Sequence, residues 1–185
     1  MYRKTILYNY MIKLLQTSTY RRAAGCIAIL LLSSCAAKTP NYNFQLLAKA
    51  AVRLDVDIDK EDDHNLYLET SKWIGVPYRR GGNTMRGTDC SGFTSTVYKK
   101  VYQKKIQHNS ESQRITNCHK VSKRHLEEGD LVFFHNGRRK DRASHVGIYL
   151  KEGRFVHSST TRGVIVSSLE EEYYKKHWMH GGRVR

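Results

Sequence analysis

The order of its hydrophobic patterns is the feature that most constrains the fold of this chain. Helical spacing comes first: Phe93, Val97 and Val101 stand at i, i+4 and i+8, which predicts a helix from about Asp89 to Gln103. Alternating apolar runs follow and predict five strands, near Asp130 to His135, His145 to Lys151, Arg154 to Ser158, Val164 to Ser167 and Gly182 to Val184. Further helices are predicted at Phe44 to Val52, Asn65 to Ile74 and Glu170 to Trp178. Helices followed by antiparallel strands indicate an α+β fold with a helix packed across the sheet.

The amino terminus carries the features of a bacterial lipoprotein signal. Lys13, Arg21 and Arg22 precede an apolar run from Ala23 to Leu32, and ten residues are too few to span a bilayer as an ordinary helix. Leu32-Ser33-Ser34-Cys35 then matches a lipobox, in which Cys35 is acylated before cleavage. The alternative is a plain secretory signal with an incidental cysteine. Met11 is a second candidate for the start of translation.

We therefore divide the chain into three parts: a signal peptide at residues 1–34, a lipidated amino terminus and linker at 35–61, and one domain at 62–185. The acidic stretch from Asp55 to Asp63 lacks the glycine turn and terminal glutamate of a calcium loop, so we interpret it as a solvated linker.

One thiol and two imidazoles stand where nucleophilic catalysis would need them. Cys90 falls in the first turn of the predicted helix, where free backbone N–H groups and the helix dipole are expected to lower its pKa. His145 begins one predicted strand and His157 lies on the next, and a turn at residues 151–153 would place them on one sheet face. We interpret Cys90 as nucleophile, His145 as its base and His157 as the residue that orients His145. The alternative is a core cysteine with two structural histidines.

Five blocks stand in a fixed order along the chain. They are Trp73-Ile74-Gly75-Val76-Pro77-Tyr78-Arg79-Arg80-Gly81-Gly82, Gly87-Thr88-Asp89-Cys90-Ser91-Gly92-Phe93, Gly129-Asp130-Leu131-Val132-Phe133-Phe134, His145-Val146-Gly147-Ile148-Tyr149 and Phe155-Val156-His157-Ser158-Ser159. Together these blocks resemble the NlpC/P60 family of papain-like cell-wall cysteine peptidases, over roughly residues 62–185. The chain is particularly similar to the Spr-type, or MepS-type, murein endopeptidase lipoproteins, which share its Gly163-Val164-Ile165-Val166-Ser167-Ser168 tail.

This resemblance implies a papain-like NlpC-type fold, with the nucleophile helix packed on an antiparallel β-sheet. It implies the same roles for Cys90, His145 and His157, acting through a thioester acyl-enzyme. By the same resemblance Tyr78 would hold substrate or stabilise the oxyanion, and Asp89 and Ser91 would help to bind a short murein peptide. The alternatives are a helix N-cap for Asp89 and a core aromatic for Tyr78.

The function that the resemblance implies is that of a peptidoglycan endopeptidase without cofactor or metal. We expect a monomer, anchored through Cys35 to the outer membrane and facing the periplasm. The scissile bond stays open between cross-links of D-alanine with diaminopimelate and the stem-peptide bond to D-glutamate. Two other functions also stay open: a non-catalytic murein-binding lipoprotein, and an acyltransferase or amidase on the same fold.

One loop departs from the family pattern. Many relatives carry Leu-Pro-Arg followed by Ser or Thr after the nucleophile helix, whereas this chain has Ile106-Gln107-His108-Asn109-Ser110. The geometry of the substrate subsites on that side therefore stays open. The remaining cysteine of the predicted domain, Cys118, is interpreted as an inert thiol outside any disulfide.

The charge of the chain suggests anionic binding partners. The formal net charge is +15, and removing the five basic residues of the predicted signal peptide, which has no acidic residue, leaves +10. Such a surface attracts murein carboxylates, anionic lipid or acidic proteins, whereas the export signal argues against nucleic acid.

The densest basic run, residues 138–142, could border the active-site cleft or form a solvated loop, and we favour the loop. Five further histidines lack metal-ligand spacing: His119, His125, His135, His177 and His180.

Overall fold

Residues 43–185 are described by a computed structural model of the protein; the predicted signal peptide and the predicted lipidation site at Cys35 lie outside this range. Three helices come before the main sheet: α1 at Phe44–Leu54, α2 at His64–Trp73 and α3 at Cys90–Val101. Asn43, Asp63 and Asp89 cap them, each accepting a hydrogen bond from the backbone N–H three residues later. All three helices are confirmed within about two residues of the predicted bounds.

The strands form one antiparallel sheet of six and one short hairpin. The hairpin comprises β1 (Asn83–Thr84) and β2 (Gly87–Thr88). The sheet comprises β3 (Cys118–Val121), β4 (Leu131–Phe134), β5 (His145–Tyr149), β6 (Arg154–Ser159), β7 (Gly163–Ser168) and β8 (Trp178–Val184). Their order across the sheet is β3-β8-β4-β5-β6-β7. The remaining elements are a single turn α4 (Ser110–Ser112), a π-helical turn (Gln113–Asn117), a 3₁₀ turn (Lys123–His125) and α5 (Glu172–His177).

All five predicted strands are present, and the structure adds three that the sequence did not predict: β1, β2 and β3. The last strand also begins at Trp178 rather than at Gly182. This is because β8 pairs with β3 on one side and with β4 on the other, so partners distant in sequence extend it. The helix predicted to reach Trp178 correspondingly ends at His177.

The sheet buries apolar side chains on both faces. One face packs against the helices, and its cluster includes Leu66, Trp73, Phe93, Val97, Leu131, Phe133, Val146, Ile148 and Val156. The other face carries a smaller cluster of Val132, Phe134, Phe155, Leu169 and Tyr174. Within β5 and β6, successive residues alternate between these two clusters, as the period of a strand requires. His145 and His157 therefore lie on the face of the smaller cluster.

The segment expected to be a solvated linker is attached to the domain. In α1, Leu47, Ala50 and Leu54 are buried at a spacing that forms one helix face. In the acidic stretch, Asp59 and Asp62 accept hydrogen bonds from Lys151 Nζ at 2.6 and 2.8 Å. The acidic stretch, interpreted as a solvated linker, thus also contacts the domain through a basic partner that lies about ninety residues away in sequence. No helix within residues 43–185 is both long and apolar enough to cross a bilayer.

Candidate active site

Cys90 is the first residue of α3, at the mouth of a cleft. Asp89 caps the helix: its Oδ1 accepts from the backbone N–H of Gly92 at 2.7 Å and its Oδ2 from that of Gly81 at 2.7 Å. Gly92 allows the helix to start here, since a Cβ at this position would lie 2.0 Å from the carbonyl oxygen of Gly82. The hairpin before α3 and the first helical turn thus hold the thiol in one place.

The prediction of a lowered pKa for Cys90 was wrong. Burial, followed by the neighbouring carboxylate of Asp89, raises the pKa of the thiol to about 11. Hydrogen bonds from the backbone N–H groups of Val146, Ser91 and Cys90 act in the opposite direction without offsetting burial. The contact with Val146 also places the thiol at the start of β5, one residue from His145.

His145 and His157 are brought together as predicted. His145 Nε2 lies 2.9 Å from His157 Nδ1, and the two rings meet edge to face with centroids 4.9 Å apart. Burial lowers the pKa of His145 to about 4. Burial, then His145 and Arg162, lower the pKa of His157 well below its usual value. Both rings are therefore neutral at pH 7, and Nδ1 of His145 makes no hydrogen bond with any described residue.

Two hydroxyl groups extend this pair, and the sequence analysis assigned a role to neither of them. Tyr174 Oη lies 3.0 Å from His157 Nε2, and Ser167 Oγ lies 3.2 Å from the same nitrogen. Both side chains are at least nine-tenths buried. Ser167 stood in the Gly163–Ser168 tail that the family resemblance covers, but no pattern in the sequence pointed to Tyr174 on α5. Together they position Nε2 of His157, while His145 contacts its Nδ1.

Gly147 makes the contact between the histidines possible. The β5–β6 register pairs Ile148 with Val156 and continues with Gly147 opposite His157. A Cβ at Gly147 would lie 2.6 Å from the ring of Phe155 and 3.1 Å from the Cβ of His157. The absence of a side chain at this position therefore lets the ring of His157 reach diagonally to His145.

Tyr78, Asp89 and Ser91 line the same cleft as Cys90. Burial, then the charges of Cys90 and Asp89, raise the pKa of Tyr78, which places its hydroxyl within electrostatic range of the thiol. Burial acts to raise the pKa of Asp89, but hydrogen bonds from Gly92, Gly81, Ser91 and His108 outweigh it and lower that pKa. The carboxylate is thus the N-cap that was given as the structural alternative.

The cleft has a volume of about 440 Å³. Beyond the residues already named, its lining is basic and polar: Arg80, Asn109, Ser110, Asn136, Arg139, Arg142, Ala143 and Ser144. Arg139 and Arg142 belong to the basic run at residues 138–142. This run is exposed, as a solvated loop would be, and it also borders the cleft.

The loop that departs from the family pattern also borders the site. His108 Nε2 lies 3.1 Å from Asp89 Oδ1, and Asn109 caps α4. The fully buried Gln113 ties this loop to α3, with its Nε2 donating to the carbonyl oxygens of Ser91 at 3.1 Å and Gln107 at 2.6 Å. The loop is therefore part of the cleft wall even though Cys90, His145 and His157 lie outside it.

The structure does not show every contact that nucleophilic catalysis requires. Across residues 43–185, no hydrogen bond joins the Cys90 thiol directly to the ring of His145, and such contacts often tighten only when substrate binds.

Cys118 is a free, buried thiol on β3, and burial, then Asp130, raise its pKa to about 12. Within the described range, no group of three or more histidine, cysteine or acidic side chains is arranged to hold a metal ion.

Comparison with known proteins agrees with this geometry. The chain is 39% identical over 114 residues to a probable endopeptidase NlpC homolog of Haemophilus influenzae, an alignment covering 62% of this chain and 58% of the relative. It is 40% identical over 112 residues to the murein DD-endopeptidase MepS/murein LD-carboxypeptidase of Escherichia coli K12, covering 60% and 57%. The chain thus spans a little over half the length of these curated relatives.

A solved structure shows the same fold. It is an NlpC/P60 family protein from Bacillus cereus, with a TM-score of 0.61 and 32% identity over 69% of this chain and 42% of that one. The NlpC/P60 family itself matches residues 75–183, which include Tyr78, Cys90, His145 and His157. The chain therefore belongs to the NlpC/P60 family.

Proposed function

We propose that this protein is a cysteine endopeptidase that hydrolyses peptide bonds of peptidoglycan. The observation that carries the proposal is the 2.9 Å contact between His145 and His157, combined with the position of Cys90 at a helix N-terminus in the lining of a cleft, where its thiol meets the backbone of Val146 beside His145. A structural cysteine would need neither an open cleft nor a pair of neutral imidazoles nearby. The sequence relatives named as murein endopeptidases support the choice of substrate.

The hydrogen bonds of His157 support a specific path for the proton. For His145 to accept the thiol proton at Nδ1, its Nε2 must carry hydrogen and donate to Nδ1 of His157. His157 then carries its own hydrogen on Nε2, where the hydroxyl oxygens of Tyr174 and Ser167 are available as acceptors. In this arrangement His157 is the positioning residue that sets the tautomer of the base.

Because thiol and imidazole are both neutral at pH 7, proton transfer and attack would occur together. Cys90 Sγ would form a bond to the peptide carbonyl carbon as its proton moves to His145. The proton would then pass to the leaving amine, and water would hydrolyse the thioester. The backbone N–H groups at the start of α3 and the hydroxyl of Tyr78 would stabilise the negative charge on the carbonyl oxygen.

The proposal includes the location of the enzyme. Cys35 would carry the lipid anchor, residues 36–61 would connect it to the domain, and the cleft would face the periplasm from the outer membrane. We expect the anchored protein to act as a monomer. Incorporation of labelled palmitate that persists in a Cys35→Ser variant would contradict the anchor at this position.

The test is digestion of purified peptidoglycan by the full-length chain in detergent, with the released muropeptides resolved by mass spectrometry. We expect the native chain to remove cross-linked dimers or shorten stem peptides, and the Cys90→Ser variant to lose at least about 99% of this activity, because a hydroxyl is a far weaker nucleophile here. The new termini would identify the bond. Cys118→Ser, at the second free thiol within residues 43–185, serves as the matched control and should retain activity.

Two results would contradict the proposal. Identical profiles from the native chain and the Cys90→Ser variant, with both folded, would favour the murein-binding alternative. Products that carry an amine in place of water at the new carboxyl end would favour acyl transfer.

A further inference from the structure

We propose that Arg142, together with Arg139 and Arg80, forms an anion subsite beside Cys90 that binds a free carboxylate of the murein peptide. This inference rests on the proposed function and assigns the part of the substrate that the cleft recognises. The three guanidinium groups come from two separate segments of the lining, one before β1 and one between β4 and β5.

The positive charge of the cleft is only partly balanced by the protein. Asp89 is the only acidic residue in the lining, and both of its oxygens already accept hydrogen bonds from Gly81, Gly92, Ser91 or His108. Within the described range Arg80 and Arg142 make no salt bridge, although Arg142 adds to the effect of Arg114 in lowering the pKa of Glu111. Arg139 has only an exposed partner, Asp141, at 3.6 Å. A cleft with this excess of positive charge favours an anionic ligand.

The loop that carries Arg139 and Arg142 is held at both ends. At its start, Asn136 Oδ1 accepts from the backbone N–H groups of Arg138 and Arg139, each at 3.1 Å. At its end, the backbone N–H of Ala143 donates to Glu111 Oε2 at 2.7 Å. These contacts fix the backbone on either side of Arg142.

A partly buried ion pair between Arg114 and Glu111 also anchors the loop. Arg114 donates to both carboxylate oxygens of Glu111, at 2.8 and 2.6 Å, and its Nη2 also donates to the carbonyl oxygen of Asp141 at 3.3 Å. Ser110 Oγ donates to the carbonyl oxygen of Ala143 at 3.2 Å. The loop is therefore preorganised, so that binding a carboxylate orders little more than the arginine side chains.

The guanidinium group is suited to this task. Its planar arrangement of N–H donors matches the two oxygens of a carboxylate, whereas a carboxamide of the same shape offers only one acceptor and no charge. Murein peptides carry such carboxylates on D-glutamate and on diaminopimelate. The subsite would thus distinguish free from amidated stem peptides.

The experiment measures kcat/KM of the full-length chain in detergent on three muropeptides: one with both carboxylates free, one amidated at D-glutamate and one amidated at diaminopimelate. We expect one of the two amidations to lower kcat/KM by about tenfold at low salt, the usual scale of a charge-assisted pair that is partly exposed. Arg142→Gln should lower kcat/KM for the peptide with both carboxylates free to the kcat/KM of the peptide whose amidation matters. The same variant should leave kcat/KM for that amidated peptide unchanged. Arg142→Lys should retain part of the preference.

Arg138→Gln is the matched control, because it removes one charge from the same loop at a residue outside the cleft lining. The subsite is overturned if the native chain cleaves all three peptides equally, if Arg142→Gln lowers all three equally, or if Arg138→Gln has the same effect as Arg142→Gln. If no peptide is cleaved, calorimetry with the Cys90→Ala variant separates the anion subsite from the proposed hydrolysis. If the peptide with both carboxylates free binds more tightly and Arg142→Gln abolishes that preference, the subsite is supported and hydrolysis is contradicted. Equal binding of all three peptides would overturn the subsite.

Discussion

Asp89 and Cys90 are adjacent residues with opposed effects on the chemistry of the thiol. Asp89 caps α3 and thereby places Cys90 in the first helical turn, where the backbone N–H groups and the helix dipole favour a thiolate. The same carboxylate is a negative charge beside the sulfur, and burial disfavours the ionised form further. Burial and the charge of Asp89 outweigh the helix N-terminus, so the thiol stays neutral. The activity of this cysteine therefore depends on its base rather than on a preformed ion pair.

We predict that Cys90 reacts slowly with iodoacetamide at pH 8, about tenfold more slowly than an ordinary exposed cysteine, because so little thiolate is present. The rate should keep rising with pH beyond pH 9. Asp89→Asn keeps the helix cap and removes the charge, and should therefore accelerate alkylation. Peptide mapping by mass spectrometry follows Cys90 alone. A rate that reaches its plateau below pH 7 would show a thiolate and refute the neutral pair.

Strand β5 serves the core and the site at the same time. Val146 and Ile148 point towards the helices, while His145 and Gly147 lie on the opposite face beside β6. Sequence alternation was sufficient to predict the strand and the facing of its histidine. It was not sufficient to explain Gly147, because the reason for that glycine is the ring of Phe155 and the path of His157 on the neighbouring strand.

Gly147→Ala should therefore damage both stability and activity. The added Cβ meets Phe155 at 2.6 Å, and overpacking of this kind usually costs about 1–3 kcal/mol of unfolding free energy. It should also displace His157 and lower kcat more than KM. Urea unfolding and muropeptide cleavage measure the two effects. Phe155→Leu in the same chain should restore part of the stability, and a Gly147→Ala variant with native stability and native kcat would refute this role.

At the scale of the whole molecule, contacts between residues distant in sequence fix the segment after α1 and set how the domain responds to pH. Lys151 holds Asp59 and Asp62, so that the segment after α1 rests on the sheet end of the domain. The buried His157 and the partly buried His145 are kept neutral. Folding therefore excludes protons that the unfolded chain would bind below about pH 6.5.

We predict that the unfolding free energy falls as pH decreases from 6.5 towards 4.5. The histidine pKa values are lower in the folded state, so stability is complete above the ordinary histidine pKa and is lost as protons bind to the unfolded chain. Each such group contributes up to about 1.4 kcal/mol per pH unit. Urea unfolding at pH 6.5 and 4.5 measures the slope of the unfolding free energy against pH. His157→Gln should make this slope shallower, and an equal slope in this variant would show that His157 does not contribute to the pH dependence.

The sequence by itself determined the order of the main helices and of five strands, and the pairing of His145 with His157 across adjacent strands; it offered the capping of α3 by Asp89 as one of two alternatives. These features depend on the spacing of near neighbours, which local periodicity encodes. Only the tertiary structure decided the raised pKa of Cys90, the partners of His157 on β7 and α5, and the position of Arg142 in the cleft. Each of these depends on burial or on hydrogen bonds between elements that are distant in sequence, for which a linear pattern carries no signal.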